Sequence, residues 1–385
     1  MKKNIIAMAV AAAVAAPAAA MADTTLYGKI HASYDFWGGD NADSSDYSLA
    51  SNSSRIGIKG KEEISDNLAL IYQWEQEVDW GGDAAGIGGN SRNTFVGFTG
   101  NWGTAIAGRH DTPFKSVGRK YELFGDTVGD ARALYRFGND MVVADTNGDG
   151  VIDPQVDADG NFTSDGFASI DNWDRRTDNT VAYITPDLGG FSAKLAYVSD
   201  WSNDINNDND AYSVSAGYEI AGFMIDAAYE QHNLTDLGIA GVTDSSDAYR
   251  VGAGYKMGGF KVVGLYQNNS DLSFIDGADV DTWGLGGAYS FGKSTVKAQY
   301  YTHDDIDGTT DTDADMWAVG YDYKLSKQTS VYAVYASMET GGNLADSIAA
   351  NTGHGESAAF TDDGTFGGMF GADSNAFSVG LVHKF

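Results

Sequence analysis

One acidic segment carries the ligand spacing of a calcium-binding loop. Oxygen-bearing side chains occupy positions 1, 3, 5 and 9 of an EF-hand pattern, and they are Asp145, Asn147, Asp149 and Asp153. A glycine at position 6 suits the sharp turn, but position 12 is Val156 instead of a carboxylate, and no flanking helices are evident. Calcium is therefore the one candidate cofactor, although none is required. The alternative is a solvated acidic insertion that binds no metal.

A second segment imitates a nucleotide-binding loop. Residues 287–294 match the P-loop pattern, yet a P-loop needs a helix directly after its Lys-Ser pair to hold phosphate. Residues 295–301 instead alternate with period 2, which predicts a strand, so Gly292-Lys293 is interpreted as a hairpin turn. The six histidines lack zinc-site spacing, and no GxSxG elbow occurs. The sequence therefore predicts no enzyme.

Alternating strands account for most of the remaining chain. Between residues 210 and 220, the apolar face would carry Tyr212, Val214, Ala216, Tyr218 and Ile220. The same unit recurs along the chain and predicts sixteen strands, at about 24–37, 53–64, 68–79, 92–101, 103–113, 178–187, 191–201, 210–220, 223–233, 247–257, 260–271, 281–291, 294–304, 314–325, 329–339 and 374–385. Short turns such as 189–190 alternate with long acidic loops such as 340–373.

Strands of this length suit a tilted crossing of a lipid bilayer. Hydrocarbon offers backbone groups no hydrogen-bond partner, so the last strand must pair with the first. The predicted fold is an all-β, 16-stranded antiparallel transmembrane barrel whose apolar stripe faces lipid and whose polar stripe encloses water. A soluble β-sandwich has the same period. Uniformly long strands, alternating loop lengths and aromatic residues at strand ends favour the barrel.

Composition limits the compartment and the partners. Lys2 and Lys3 followed by an apolar run predict a signal peptide at residues 1–22, cleaved before Asp23, and a barrel at residues 23–385. The absence of cysteine excludes disulfides and thiolate metal sites. The formal charge of −30 argues against nucleic acid as a partner, because phosphate contacts need Lys and Arg.

Several segments resemble the Gram-negative general porin family of trimeric, 16-stranded diffusion channels. The similarity lies in Leu26 to Ile30, Ser54 to Gly60, Arg92 to Phe98, Gly103 to Arg109, Arg176 to Tyr183 and the C-terminal run that ends in Phe385. The resemblance implies an outer-membrane location, a homotrimer and a terminal Phe that is read by the outer-membrane assembly machinery. Its implied partners are small hydrophilic solutes and ions, outer-membrane lipids and lipopolysaccharide.

The resemblance also implies an inward-folded constriction loop between Asp111 and Arg132, with acidic candidates Glu122, Asp126 and Asp130. Alternation alone places Arg55 and Lys59 inward, because Ile56 and Ile58 must face lipid, where Arg or Lys costs ~2–4 kcal/mol. The same reasoning predicts inward positions for Lys29, Arg92 and Arg109. The resemblance implies that the basic wall faces the loop carboxylates and sets up a transverse field.

The expected function is passive diffusion of small hydrophilic solutes and ions through a water-filled channel. The alternative is a substrate-selective channel for sugars or anions, and a sugar channel would need an aromatic slide along the lumen. The net charge favours cations at the mouths, whereas the inward Lys and Arg favour anions at the wall. A cation preference is expected on balance.

Overall fold

The computed structural model describes residues 24–39, 47–79, 86–137, 141–143, 167–169, 172–199, 209–234, 243–342 and 373–385. The expected signal peptide and the calcium-like segment from Asp145 to Asp153 lie outside the described residues. Both therefore stay predictions.

Strands make up most of the described chain. In order they are β1 (Thr24–Gly39), β2 (Tyr47–Ser51), β3 (Arg55–Ser65), β4 (Leu68–Asp79), β5 (Gly86–Ser91), β6 (Thr94–Gly100), β7 (Gly103–Asp111), β8 (Met141–Val143), β9 (Phe167–Ser169), β10 (Arg176–Ile184), β11 (Phe191–Val198), β12 (Ala211–Ile220), β13 (Phe223–Asn233), β14 (Ser245–Met257), β15 (Phe260–Ser270), β16 (Val280–Phe291), β17 (Ser294–His303), β18 (Ala314–Lys324), β19 (Thr329–Thr340) and β20 (Ser374–Lys384). The helices are α1 (Pro113–Tyr121), α2 (Arg132–Tyr135) and a 3₁₀ turn (Leu272–Phe274).

The strands close into a single antiparallel barrel. β8 and β9 pair only with each other, and the other strands form one sheet of eighteen segments. β2 and β3 both pair with β1, and β5 and β6 both pair with β4, so each couple forms one interrupted wall strand. The wall therefore has sixteen strands, as predicted. β20 closes it by pairing with β1 from Lys29 opposite Lys384 to Gly39 opposite Ser374.

The chain terminus takes part in this closure. Phe385 and Gly28 exchange two backbone hydrogen bonds, of 3.0 and 3.1 Å. A Cβ atom on Gly28 would lie 2.3 Å from the Phe385 ring and 2.7 Å from the carbonyl oxygen of Arg55. Only glycine therefore fits at this point of the seam.

The outer face of the wall is apolar, as the alternation predicts. Leu285, in the middle of β16, is 58% exposed, and Phe260, at the start of β15, is 57% exposed, although both belong to hydrogen-bonded strands. Aromatic pairs stand near both ends of the strands, with ring centroids 5.8 Å apart for Trp283 and Tyr300 and 4.3 Å apart for Phe260 and Tyr289. A continuous apolar skin with aromatic rims suits contact with lipid. None of the helices in the described part of the chain has the length and apolar composition needed to cross a membrane.

The interior differs from the expected wholly polar lumen. The segment from Thr112 to Phe137 packs against the inner side of β13–β19, and the two surfaces share a buried apolar cluster that includes Phe114, Phe124, Leu134, Val263, Ala318 and Met338. Apolar and small residues of the wall alternate there with buried polar side chains such as Arg250, Gln267 and Gln299, which donate hydrogen bonds to the segment. The segment and its apolar contacts therefore fill one side of the lumen. Water can occupy only the rest of the lumen.

Candidate pore constriction

The helix α1 begins where β7 ends, because the local sequence caps a helix. Thr112 is the N-cap and its side-chain oxygen accepts a hydrogen bond from the backbone N–H of Lys115 at 3.2 Å, while Pro113 stands at the first helical position. The strand predicted to run to residue 113 therefore stops at Asp111. The chain turns from the wall into the interior at this point.

Polar anchors fix α1 against the inner side of β12, β13 and β14. The backbone N–H of Phe114 donates to the Ser213 hydroxyl at 3.0 Å, and the Tyr121 hydroxyl donates to Asp226 at 2.6 Å. The fully buried Arg250 guanidinium donates to the carbonyl of Phe114 at 3.1 Å and lies 4.0 Å from the centre of its ring. A buried guanidinium is tolerated because hydrogen bonds and an aromatic face replace its water.

The tip of the segment is held by β17. Gln299 donates to the carbonyl of Gly129 at 2.8 Å, and Lys297 donates to the carbonyl of Leu123 at 3.0 Å. The Lys297 ammonium also lies 3.1 Å from Asp322 and 4.5 Å from the centre of the Phe124 ring. Asp126 also forms a 2.8 Å ion pair with Lys29 of β1. The segment therefore lies along the inner wall and reaches from β12 and β13 to β1.

Charged residues of the segment pair mainly with one another. We name the group of Arg119, Asp126, Asp130, Arg132 and Asp174 the loop cluster. Arg132 pairs with all three carboxylates, at 3.2 Å from Asp126 and 3.0 Å from Asp174, and Arg119 lies 3.0 Å from Asp126. Arg119, Lys29 and Arg132 hold the pKa of Asp126 well below its usual range against the opposing effect of burial. Against the same effect of burial, Arg132 and Arg119 also lower the pKa values of Asp130 and Asp174, so all three carboxylates are ionised beside cationic partners.

Basic residues of the wall pair with a carboxylate of their own wall. We name Arg55, Glu75 and Arg92 the wall cluster. Glu75 lies 2.7 Å from the Nε atom of Arg92 and 3.7 Å from that of Arg55, and it accepts a 2.9 Å hydrogen bond from Tyr27. Lys59 lies 5.1 Å from the centre of the Tyr27 ring and is exposed. The structure brings Arg55, Arg92 and Lys59 to one side of the lumen.

Two predicted site residues lie elsewhere than expected. Ile106 is buried inside the barrel with Ala182 and Ala196, and the continuous β6–β7 register puts Arg109 on the opposite face, next to a bulge in the β7–β10 pairing. Arg109 pairs there with Asp178 at 2.6 Å, so its predicted inward position is wrong. The expectation that Arg109 must face water fails because Asp178, which follows Thr177 in β10, neutralises its charge locally.

Glu122 faces the backbone of its own loop rather than the basic wall. Its two carboxylate oxygens accept hydrogen bonds from the N–H groups of Phe124 at 2.7 Å and Ala131 at 3.1 Å. Burial and the nearby charge of Asp130 raise the pKa of Glu122 to about 7 despite these donors. Its role in the structure is to close the loop turn, so the expected contact with the wall arginines is not observed.

The predicted transverse field takes a different form. Lys29 and Asp126 are the one predicted wall-to-loop pair that makes contact in the described part of the chain, and Arg55, Arg92 and Asp130 pair on their own sides. Lys120 of the segment forms a further pair with the wall, at 2.6 Å from Asp226. Sequence reasoning missed Arg119, Arg132 and Asp174. The cap Thr112-Pro113 could have indicated a helix that presents Arg119 and Lys120 in its last turn. Within the described ranges, no group of three His, Asp or Glu side chains could hold a metal ion.

A closed barrel with an apolar outer face and a charged, partly filled interior defines a transmembrane β-barrel of the outer-membrane class. The chain belongs to the Gram-negative porin family, whose model matches residues 7–343.

Relatives of known name agree with this assignment. The major outer membrane protein P.IB of Neisseria gonorrhoeae is 27% identical over 233 residues, which is 58% of this chain and 55% of that protein. The chain thus matches less than two thirds of the length of this curated relative. An anion-selective porin from Comamonas acidovorans has a TM-score of 0.72 at 23% identity, covering 94% of this chain and 99% of that one. OmpT of Vibrio cholerae, solved in a trimer form, has a TM-score of 0.60 at 18% identity, covering 94% and 99%. At these identities the solved structures show the fold alone.

Proposed function

We propose that the protein is a passive diffusion channel of the outer membrane for small hydrophilic solutes and ions. The observation that carries this proposal is the segment from Thr112 to Phe137, which lies along the inner wall from β12 to β1 and presents charged groups beside Lys29 and the wall cluster. Water and polar solutes pass such a lining, whereas an apolar solute must displace water bound to the charges. Lys29, Arg55, Lys59, Arg92, Asp126 and Asp130 act at the constriction in this proposal, and Glu122 acts by holding the loop turn.

The passage favours anions in this proposal, which reverses the cation preference expected from net charge. Side-chain exposure carries the argument: Arg119 is 32% exposed and Arg55 26%, whereas Asp126 and Glu75 are each 9% exposed. A permeating ion therefore meets guanidinium groups first, with the carboxylates behind them.

The protein is also proposed to form a homotrimer through the outer face around β7. The Arg109–Asp178 pair lies on the side of the ladder opposite the buried Ile106. A charged pair on the outer face near the end of β7 is unfavourable in contact with lipid, by up to about 1 kcal/mol near the interface, and contact with a second copy removes that cost.

Liposome swelling tests the diffusion proposal. Liposomes containing the refolded protein are expected to swell in solutions of small neutral sugars and amino acids, at rates that fall smoothly with solute size. Protein-free liposomes and liposomes with the heat-denatured protein serve as controls. Swelling for one sugar alone would refute general diffusion and support a substrate-selective channel, and no swelling for any solute would refute the channel itself.

A further inference from the structure

A basic cavity lies at the short-turn end of the barrel, beneath the tip of the constriction segment. Its volume is about 850 Å³, and Gly125 and Thr127 of the segment form its roof. Its walls carry five lysines, namely Lys293, Lys297, Lys324, Lys327 and Lys384. A cavity of this size accommodates a small organic solute. Short turns lie on the periplasmic side of barrels of this class, so the cavity opens toward the periplasm.

Backbone pairing holds these lysines side by side. The N–H of Lys324 donates to the carbonyl of Lys293 at 2.9 Å, and the N–H of Lys384 donates to the carbonyl of Gln328, next to Lys327, at 2.9 Å. Lys384 stands directly opposite Lys29 in the β1–β20 ladder, and directly opposed residues share a face. The positive charges therefore form a continuous arc fixed by the barrel seam.

The arc lacks matching carboxylates. Of the described residues that line the cavity, Asp322 is the one acid, and it already pairs with Lys297 at 3.1 Å. Lys324, Lys327 and Lys384 have no carboxylate within ion-pair distance in the described ranges, although the chain has 54 acidic residues and 24 basic ones. Adjacent like charges on a sheet are destabilising. An external anion would therefore stabilise an arc of this kind.

We propose that the arc is a binding site for small multivalent anions, which enter from the periplasmic side and carry clustered phosphoryl or carboxyl groups. The inference rests on the proposed channel and extends it to a bound ligand. Lysine presents a hydrated point charge, whereas the planar fork of arginine selects bidentate geometry. The arc contains only lysines, while the constriction contains Arg55, Arg92 and Arg119. The site is therefore expected to discriminate between anions by the number of their charges more than by their shape.

A bound anion would sit below Gly125 and Thr127, in the path of the current. Binding is therefore expected to appear as reversible block of single channels. Tripolyphosphate on the periplasmic side should block at a concentration at least about tenfold lower than monophosphate, because each added charge meets another ammonium group. The same anion on the other side must first pass the constriction, so its block should be weaker.

The double variant Lys324→Gln, Lys327→Gln tests the site. It is expected to raise the half-blocking concentration of tripolyphosphate about tenfold while leaving unblocked conductance within a factor of two. The matched control is Lys256→Gln, Lys261→Gln, which removes two lysines opposed on neighbouring strands outside the cavity. Equal loss of block in both double variants would reduce the effect to general charge and overturn the proposal. Citrate at equal net charge should block at a similar concentration, and block by tripolyphosphate alone would assign the site to phosphoryl groups.

Calorimetric titration of tripolyphosphate into the detergent-solubilised protein separates this inference from the channel proposal. Saturable binding that is weakened in the Lys324→Gln, Lys327→Gln variant supports the site. If bilayers show no current in that case, the result counts against the channel proposal alone. No binding to the unmodified protein, or equal binding to the variant, would overturn the site even in a fully conducting channel.

Discussion

Replacement of Glu75 by glutamine tests how the wall cluster sets ion preference. Glu75 is the carboxylate that neutralises Arg55 and Arg92, at 3.7 and 2.7 Å. The Tyr27 hydroxyl donates to Glu75 at 2.9 Å in the unmodified protein. Glutamine has the same shape and keeps an oxygen that can accept this hydrogen bond. The substitution therefore removes one negative charge from the passage and leaves its width unchanged.

The expected size follows from Coulomb's law. An ion that passes about 5 Å from the lost charge changes in energy by about 0.8 kcal/mol in water, and screening at 0.1 M salt reduces this to about 0.5 kcal/mol. An anion is stabilised and a cation destabilised by that amount. Their difference changes by about 1 kcal/mol, so the anion-to-cation permeability ratio should rise about fivefold. At 1 M salt, where the screening length is about 3 Å, the rise should fall below about twofold.

Reversal potentials across a planar bilayer with a KCl gradient measure this ratio. Glu63→Gln is the matched control, since Glu63 pairs with the exposed Lys61 near the end of the same hairpin, away from the wall cluster. It should change the ratio by less than about 1.5-fold. An unchanged ratio in Glu75→Gln at 0.1 M salt, or equal changes in both variants, would refute the assignment of the wall cluster to the passage.

Three further predictions concern the loop and the seam. Arg132→Gln removes the partner that the buried Asp130 and Asp174 share, while Arg119 stays 3.5 Å from Asp130 and Lys115 stays 3.3 Å from Asp174. The loss should therefore cost less than the ~3–5 kcal/mol of a fully unpaired buried charge, and single-channel conductance and protease cleavage of the segment should both rise. Unchanged values would contradict this anchoring role. Gly28→Val should lower the temperature at which the folded band is lost on gels, because the valine side chain would meet the carbonyl oxygen of Arg55. Gly287→Val should leave this temperature unchanged, because no atom lies nearer than 3.9 Å to the position of its Cβ. Equal shifts in both variants would exclude the steric explanation. Protection of the segment from protease should be greatest near pH 5. The raised pKa of Glu122, about 7, contributes stability to the loop at low pH, and this contribution is lost as the pH rises through 7. The lowered pKa values of Asp126 and Asp174 contribute stability above about pH 4, which is lost below that pH; protection that rises steadily up to pH 8 would contradict the Glu122 assignment.

The wall of the barrel was predictable because its rules are local. Period-2 alternation and turn residues identified the sixteen strands and their lipid face, and bilayer physics required the closure of β20 on β1. The end of β7 was placed two residues late because Thr112 also fits a strand until its capping hydrogen bond is considered.

The interior was less predictable because its contacts join distant parts of the chain. Alternation places Arg92 and Glu75 inside, but it does not say that they bind each other rather than Asp126. Arg250 was overlooked because the ring of Phe114 that covers it lies 136 residues away. Ile106 breaks the rule that apolar residues face lipid, because Ala182 and Ala196 form a small apolar patch inside the barrel, and Arg109 is displaced outward as a result.

Single-channel recording of the refolded protein in a planar bilayer tests the central claim most directly, since an aqueous lumen narrowed by a folded-in segment must carry ions. We expect discrete openings with a linear current–voltage relation, closure in three equal steps and a reversal potential that indicates anion preference. Membranes that stay electrically silent after verified insertion of the folded barrel would contradict the existence of a conducting lumen.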